Sequence, residues 1–251
     1  MSSLSGEAEL VQEIERLRSA LANREQEAAE KERQLERYAA DLRETFKSER
    51  ARSQELRRSY TATVRALSNA VEFRDAYTGK HAERVAAYGL EIAHRMDLPL
   101  ADRPEIEFGF LLHDIGKVAI PDAILHKPGA LTESERRLMA QHPLIGAEIV
   151  HGIEFLESAV EIVRSHHERW DGKGYPDGLA GEDIPLSARV FSVADVFDAL
   201  TTERPYRQAS PITTAREMIS AESGQQFDPQ VVKAFESIDD ETFDRIAAEI
   251  G

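Results

Sequence analysis

Histidine and aspartate residues recur along the middle of this sequence in a pattern typical of a metal site. His113 and Asp114 are adjacent after an apolar stretch, and Lys117 follows one helical turn after the histidine. A lone buried histidine–aspartate pair is common packing chemistry, so the hypothesis depends on further ligand types. Imidazole and carboxylate groups together suit iron or manganese. The further candidates along the chain are His142, His166, His167 and Asp195.

The positions of three of these candidates have specific geometric consequences. His166 and His167 are adjacent, so on a helix their side chains would point about 100° apart. Two neighbouring ions could then each take one of them; alternatively, one ring is in the core and the other at the surface. Asp195 lies in an apolar helical stretch, where an unpaired carboxylate is costly to bury. It is therefore predicted to be either salt-bridged or bound to a cation.

The elements that must position these residues are all predicted to be helices. Pro104 is expected to begin the helix that ends at His113, and Asp228 to cap a later one. Thr132 has the pattern of a capping box, and its helix is predicted to continue through Met139 to His142. A glycine-rich break at 171–178 interrupts the helical pattern. The sequence therefore predicts an all-α domain.

The N-terminal segment predicts a long helix of another kind. Between residues 7 and 78 there is no glycine or proline, and apolar residues recur every seventh position from Ile14 through Leu21, Leu35 and Leu42. The pattern favours an imperfect coiled coil that makes the protein a homodimer. The alternative is a charged helix in solvent that is only marginally stable alone. We assign residues 1–58 to a coiled-coil stalk and 59–251 to the globular domain.

Composition limits the function classes. The chain has no cysteine, which excludes disulfides and thiolate ligands, and its net charge is −15. Residues 59–251 carry 33 acidic and 19 basic side chains. Such a domain repels polyanions, so no nucleic-acid polymer is expected as a partner. No signal peptide and no apolar run long enough to cross a bilayer is found, which favours a cytoplasmic protein.

Two motifs in the sequence resemble a known family. The run His113-Asp114-Ile115-Gly116-Lys117 is similar to the signature of the HD phosphohydrolase superfamily. The segment from His166 to Pro176 resembles the defining segment of its HD-GYP branch, which comprises bacterial cyclic di-GMP phosphodiesterases. The resemblance implies an HD-type helical bundle. It also implies a signal-transduction hydrolase that opens cyclic di-GMP to pGpG and, with further cleavage, to GMP.

The resemblance also implies roles for individual residues. Asp114 would bridge two divalent ions, iron or manganese, and Lys117 would face the scissile phosphate. The loop of Gly174, Tyr175 and Pro176 would border the substrate, and Arg204 and Arg207 would bind its phosphates. The metal ligands implied are His113, Asp114, His142, His166, His167 and Asp195.

The sequence argues against a third metal ion. Some family members add an ion through a histidine equivalent to His81 and a glutamate four residues earlier, where this chain has Tyr77. We therefore expect a dinuclear centre, with His81 behind the ligands or on the substrate side. Two other functions stay open. The protein could be a nucleotide-binding signalling scaffold, which missing ligands would favour, or an HD hydrolase of another cyclic dinucleotide.

Overall fold

The computed structural model describes residues 3–74, 80–98, 104–203 and 208–250, without the side chains of 3–9, 11, 104 and 105. Tyr77, Arg204 and Arg207 lie outside the described residues. Within the described ranges every regular element is a helix, and the sole β feature there is an isolated bridge between Ser223 and Phe227. The prediction of an all-α protein that begins with a long helix is confirmed. No described helix is long and apolar enough to cross a membrane.

Eleven α-helices form the described part of the chain, with three short 3-10 helices between them. The α-helices are α1 Ser3–Arg74, α2 His81–Arg95, α3 Pro104–Leu112, α4 Asp122–Leu125, α5 Glu133–Met139, α6 His142–Val150, α7 Val160–Ser165, α8 Leu186–Thr201, α9 Ile212–Ala221, α10 Pro229–Glu236 and α11 Asp240–Ile250. The 3-10 helices are Ile115–Ala119, Glu154–Ala159 and Gly181–Asp183.

The chain divides into two compact units, Met1–Ser59 and Tyr60–Gly251. The first unit contains most of α1. Its described leucines are largely exposed, for example Leu21 and Leu35 at 58% and 67%. The helix is present as predicted, whereas its pairing in a coiled coil stays a prediction. The assignment of the units to a stalk and a catalytic domain also stays a prediction.

The core of the second unit is built around α2 and α8. Val85 and Ile92 of α2 and Val193 of α8 are fully buried. Tyr88 and Phe197 join the two helices edge to face, with ring centroids 5.1 Å apart. Burying a side chain of this size contributes about 1.5–3 kcal/mol. The two helices that carry His81 and Asp195 are therefore fixed relative to each other by apolar packing.

The predicted helix through Met139 and His142 is instead two helices. Thr132 forms the expected capping box with Glu135 at the start of α5, but α5 ends at Met139 and α6 begins at His142. Pro143 explains the break, because it lacks the N–H that would bond the Met139 carbonyl in a continuous helix, whereas proline fits in the first turn of a new one. His142 therefore lies at the first residue of a helix, which allows its ring to turn back toward the Met139 carbonyl.

The 3-10 helix Ile115–Ala119 packs directly on the start of α6. A Cβ atom on Gly116 would overlap the carbonyl oxygen of His142. Glycine is therefore required for backbone to lie this close to backbone. This contact brings the segment that follows His113 and Asp114 against the helix that begins with His142.

Candidate active site

Three buried histidines are oriented by the same local hydrogen bond. The Nδ1 atoms of His113, His142 and His166 lie 2.8–2.9 Å from the carbonyl oxygens three residues earlier. A carbonyl oxygen only accepts, so each Nδ1 carries the hydrogen and donates it. In the neutral ring the other nitrogen, Nε2, then carries a lone pair. The helix ends thus present three Nε2 acceptors to a common space.

The Nε2 atoms of His142 and His166 face each other at 3.1 Å. Two lone pairs at this distance repel each other unless a cation or a proton lies beside them. A proton is disfavoured at His166, because burial and the neighbouring histidines hold its pKa well below the ordinary value. Burial likewise lowers the pKa of His167 to about 4. The donor set therefore fits a metal cation.

The ligand atoms fall into two groups of three, each with all atoms within 4.8 Å of one another. One group joins His166 and His167, although the sequence suggested a separate ion for each of them. Both residues follow the end of α7 rather than lying inside a helix, which places their ring centroids 4.2 Å apart. The groups are His142, His166 and His167, and His81, His113 and Asp195.

The Asp114 carboxylate lies between the two groups. Its Oδ1 is 3.2 Å from Nε2 of His142, and its Oδ2 is 3.1 Å from Nε2 of His113. The Lys117 amine contacts the same Oδ2 at 2.7 Å. Burial opposes ionisation, yet Lys117 and His113 hold the pKa of Asp114 well below its usual range. A charged carboxylate with one oxygen toward each group is suited to bridge two cations.

His81 lies beside the ligand atoms and is supported from behind by a carboxylate. Its Nε2 is 3.3 Å from Asp195, and its Nδ1 is 2.7 Å from Asp198. Arg84 in turn donates to both oxygens of Asp198 at 2.6 and 3.1 Å. Burial lowers the pKa of His81, but Asp195 and Asp198 outweigh it and raise that pKa to about 10. Burial of Asp195 raises the pKa of its carboxyl group, but His81 outweighs this effect and lowers that pKa to about 2.

Asp198 and Arg84 were not predicted as site residues from the sequence. A signal was available for the aspartate, because Asp198 comes three residues after Asp195 and so shares its helix face. A carboxylate that holds one nitrogen of a histidine fixes which nitrogen faces a metal. This arrangement makes His81 a further candidate ligand, whereas the sequence placed it behind the ligands or on the substrate side.

The loop after the histidine pair is organised by Glu168, which is 4% exposed. Its carboxylate accepts hydrogen bonds from the backbone N–H groups of Asp177, Gly178 and Leu179 at 2.7–3.1 Å. At Gly174 a Cβ atom would lie 2.5–2.6 Å from backbone atoms of residues 167–169. The loop therefore folds tightly back on the residues that precede it.

This folding places Tyr175 beside the two groups of ligand atoms, which together with Asp114 form one cluster. Its ring stacks on His167 with centroids 4.7 Å apart and planes 28° apart. Gly174 and Pro176 flank the tyrosine, so the three loop residues predicted to border the substrate lie beside one predicted ligand.

We expect Glu168→Gln to loosen this loop. The glutamine amide keeps the shape of the side chain but lacks its negative charge. Its NH2 group would also face backbone N–H groups, which are themselves donors. The unfolding free energy should fall by about 1.5–3 kcal/mol, measured by urea denaturation. Amide exchange at 177–179 should accelerate. Exposed Glu161 of α7 provides the matched control, since Glu161→Gln should change stability by less than about 0.5 kcal/mol. Equal stability of the two variants would contradict this role.

A cavity of about 170 Å³ opens onto the cluster. Asp114, Lys117 and Asp195 form one part of its wall, and the last turns of α1 form another. The acidic, imidazole and amine groups therefore meet a space that a ligand can enter. The lining from α1 consists of Ser68, Val71 and Glu72.

The fold and the site together define a class of protein. It is a helical bundle with a candidate dinuclear metal centre, in which five histidines and two aspartates lie beside a cavity. A model of the family described as HD domain matches residues 65–231. The chain belongs to the HD domain family, and the resemblance to its HD-GYP branch is confirmed by relatives named as cyclic di-GMP phosphodiesterases.

Two curated relatives illustrate the similarity. The cyclic di-GMP phosphodiesterase response regulator RpfG of Xanthomonas campestris pv. campestris is 45% identical over 174 residues, covering 68% of this chain and 46% of that protein. The 3'3'-cGAMP-specific phosphodiesterase 2 of Vibrio cholerae serotype O1 is 42% identical over 212 residues, covering 83% and 40%. The chain therefore spans less than half the length of either relative.

The fold is also similar to a solved structure. The crystal structure of the cyclic GMP-AMP phosphodiesterase V-cGAP3 of V. cholerae superposes with a TM-score of 0.55 at 22% identity, covering 74% of this chain and 52% of that one. At this identity the likeness shows the fold alone. The predicted HD-type helical bundle is confirmed.

Proposed function

We propose that this protein is a metal-dependent phosphodiesterase that hydrolyses cyclic di-GMP to pGpG, and to GMP where the second phosphodiester is also cut. The observation that carries the proposal is the Asp114 carboxylate, with one oxygen toward each group of ligand atoms and Lys117 beside it. As the substrate is an intracellular messenger of bacteria, we place the reaction in the cytoplasm.

Two divalent cations would be held by these groups. His142, His166 and His167 would hold one, and His113 and Asp195 the other, with Asp114 shared between them and His81 as a further ligand. Iron and manganese accept mixed imidazole and carboxylate ligands, and the chain has no thiolate to favour a softer ion. Bound in this way, they would supply Lewis acidity to a water nucleophile and to the phosphoryl oxygens.

The other side chains would bind and orient the substrate. Lys117 would stabilise negative charge as it develops on the phosphate, because its amine is already directed at the cluster. The Tyr175 ring and the flanking loop residues Gly174 and Pro176 would limit the position of a purine. Arg204 and Arg207 are proposed to contact phosphate, because a guanidinium can hold two phosphate oxygens at once.

A related substrate is the second candidate. The 42% identity to a 3'3'-cGAMP-specific phosphodiesterase favours a cyclic dinucleotide with one adenine. The nucleotide-binding scaffold is less well supported, because every predicted metal-ligand type is present and the described ligand atoms are brought together.

Substrate competition tests the proposal. The protein, purified anaerobically with iron or manganese, should convert cyclic di-GMP to pGpG with a higher kcat/KM than 3'3'-cGAMP or cyclic di-AMP, with products identified by mass spectrometry. A higher kcat/KM for 3'3'-cGAMP would support the second candidate. Nucleotide binding without any hydrolysis would support the scaffold.

We also propose that the chain forms a homodimer through residues 1–58. Apolar side chains spaced by seven in this segment are exposed in the single chain, and pairing would bury them. A variant with glutamate in place of Leu21, Leu35 and Leu42 should be a monomer in light scattering, because negative charge on the apolar face of the helix opposes pairing. Gln26→Glu with Ala40→Glu, on the opposite face, should leave the dimer intact. A monomeric unsubstituted protein at micromolar concentration would contradict this proposal.

A further inference from the structure

The last turn of α1 binds the backbone segment that carries Lys117. The Arg74 guanidinium donates to the carbonyl oxygens of Lys117, Val118 and Ile120 at 2.6–2.7 Å. It also pairs with the Asp122 carboxylate at 2.9 Å. The Lys117 carbonyl also accepts the Ile120 N–H at 3.0 Å. Val118 and Ile120 lie at the end of the 3-10 helix, where backbone acceptors lack partners within the helix. A planar guanidinium with five donors can satisfy several of them at once.

The same turn of α1 also binds the start of α2. The Glu72 carboxylate accepts hydrogen bonds from the backbone N–H groups of Lys80 and Ala82, the residues on either side of His81. Lys80 is the N-cap of α2, has a left-handed backbone with φ 73°, and makes no side-chain cap of its own. A carboxylate from a different helix thus caps α2 at the residue next to a candidate ligand.

One helix end therefore contacts both sides of the site. Ser68, Val71 and Glu72 line the cavity, while Arg74 contacts the backbone behind Lys117. Without Arg74, the Lys117 segment keeps its contact with α6 but loses these hydrogen bonds to α1. Without the Glu72 carboxylate, the N–H groups beside His81 lose their acceptor.

We propose that Arg74 and Glu72 are positioning residues, which set the Lys117 amine and the His81 imidazole relative to each other through the last turn of α1. The proposal rests on the proposed phosphodiesterase function. A displacement of about 1 Å in a catalytic group costs on the order of 100-fold in rate. A change at Arg74 should therefore lower kcat although its side chain bonds only to the backbone and Asp122 in the described contacts.

The test compares Arg74→Ala and Arg74→Lys with Arg65→Ala in the full chain. Arg65 is a matched control because it also lies on α1 and pairs with Glu83 and Glu107 at 3.3–3.4 Å. Arg74→Ala should lower kcat about 10- to 100-fold with metal content and KM little changed. Arg74→Lys should recover part of kcat, because it keeps the charge but not the planar array of donors. Arg65→Ala should match the unsubstituted protein.

Two further readouts do not depend on turnover. In Arg74→Ala the amides of 115–122 should exchange faster, and the Lys117 amine should be acylated faster by a reagent mapped by mass spectrometry. In Glu72→Gln the faster exchange should lie at 80–84 instead.

Unchanged kcat with lowered stability would show anchoring only and overturn the proposal, as would equal acylation of Lys117 in Arg74→Ala and Arg65→Ala. If the unsubstituted protein hydrolyses no cyclic dinucleotide, the proposed function fails, and acylation and exchange still decide the positioning claim.

Discussion

Asp114→Asn is expected to lose bound metal and phosphodiesterase activity together. The amide has nearly the same shape, so the site keeps its geometry, but the negative charge between the two groups of ligand atoms is removed. An amide nitrogen would also face an imidazole or the Lys117 amine in place of a carboxylate oxygen. We expect metal affinity to fall by at least about 100-fold. Elemental analysis beside a turnover assay measures both effects.

A matched control separates charge loss from site loss. Asp183 is exposed in the 3-10 helix Gly181–Asp183 and belongs to neither ligand group, so Asp183→Asn removes the same charge without removing a candidate ligand. It should keep full metal content and activity. Asp114→Asn that binds two metal ions per chain and turns over at the unsubstituted rate would refute the bridging role.

Lys117→Met is expected to keep the metal and lose most of the turnover. Methionine is a flexible side chain of similar reach without a charge. The Lys117 side chain is 17% exposed, lines the cavity and places its amine beside Asp114, where the amine can stabilise charge that develops on phosphate. Loss of one such electrostatic contact lowers kcat by about 10²- to 10³-fold. The KM should change much less, because the contact strengthens in the transition state.

Lys127 provides the control for this substitution. Its amine also pairs with a carboxylate, Glu135 at 2.6 Å, but it does not line the cavity. Lys127→Met should leave kcat unchanged. If Lys117→Met loses metal together with activity, the lysine serves to hold Asp114 rather than to act on the substrate. Equal kcat in the two variants would remove Lys117 from the catalytic residues.

The helical fold and the candidate ligands could be predicted from the sequence for physical reasons. Helical periodicity and caps such as Thr132 are local signals, and histidine and aspartate are few enough for their spacing to be informative. The break before His142 was missed although Pro143 marked it, because the capping pattern of the preceding helix was extended too far.

The partners behind the site could not be predicted in the same way. Glu72 and Arg74 look like ordinary residues of a charged helix, and their role depends on backbone atoms of distant segments. Glu168 directly follows the histidine pair, but sequence alone does not show that a loop folds back on its carboxylate. The role of Arg84 is equally hidden in the sequence, because its partner Asp198 is 114 residues away.

Metal add-back to chelator-treated protein is the most direct test of the central claim. The metal-free protein should be folded by circular dichroism and inactive toward cyclic di-GMP. Anaerobic titration with iron or manganese should restore turnover and reach a plateau at about two equivalents per chain, as the two ligand groups predict. Full turnover by protein that elemental analysis shows to be metal-free would contradict the account.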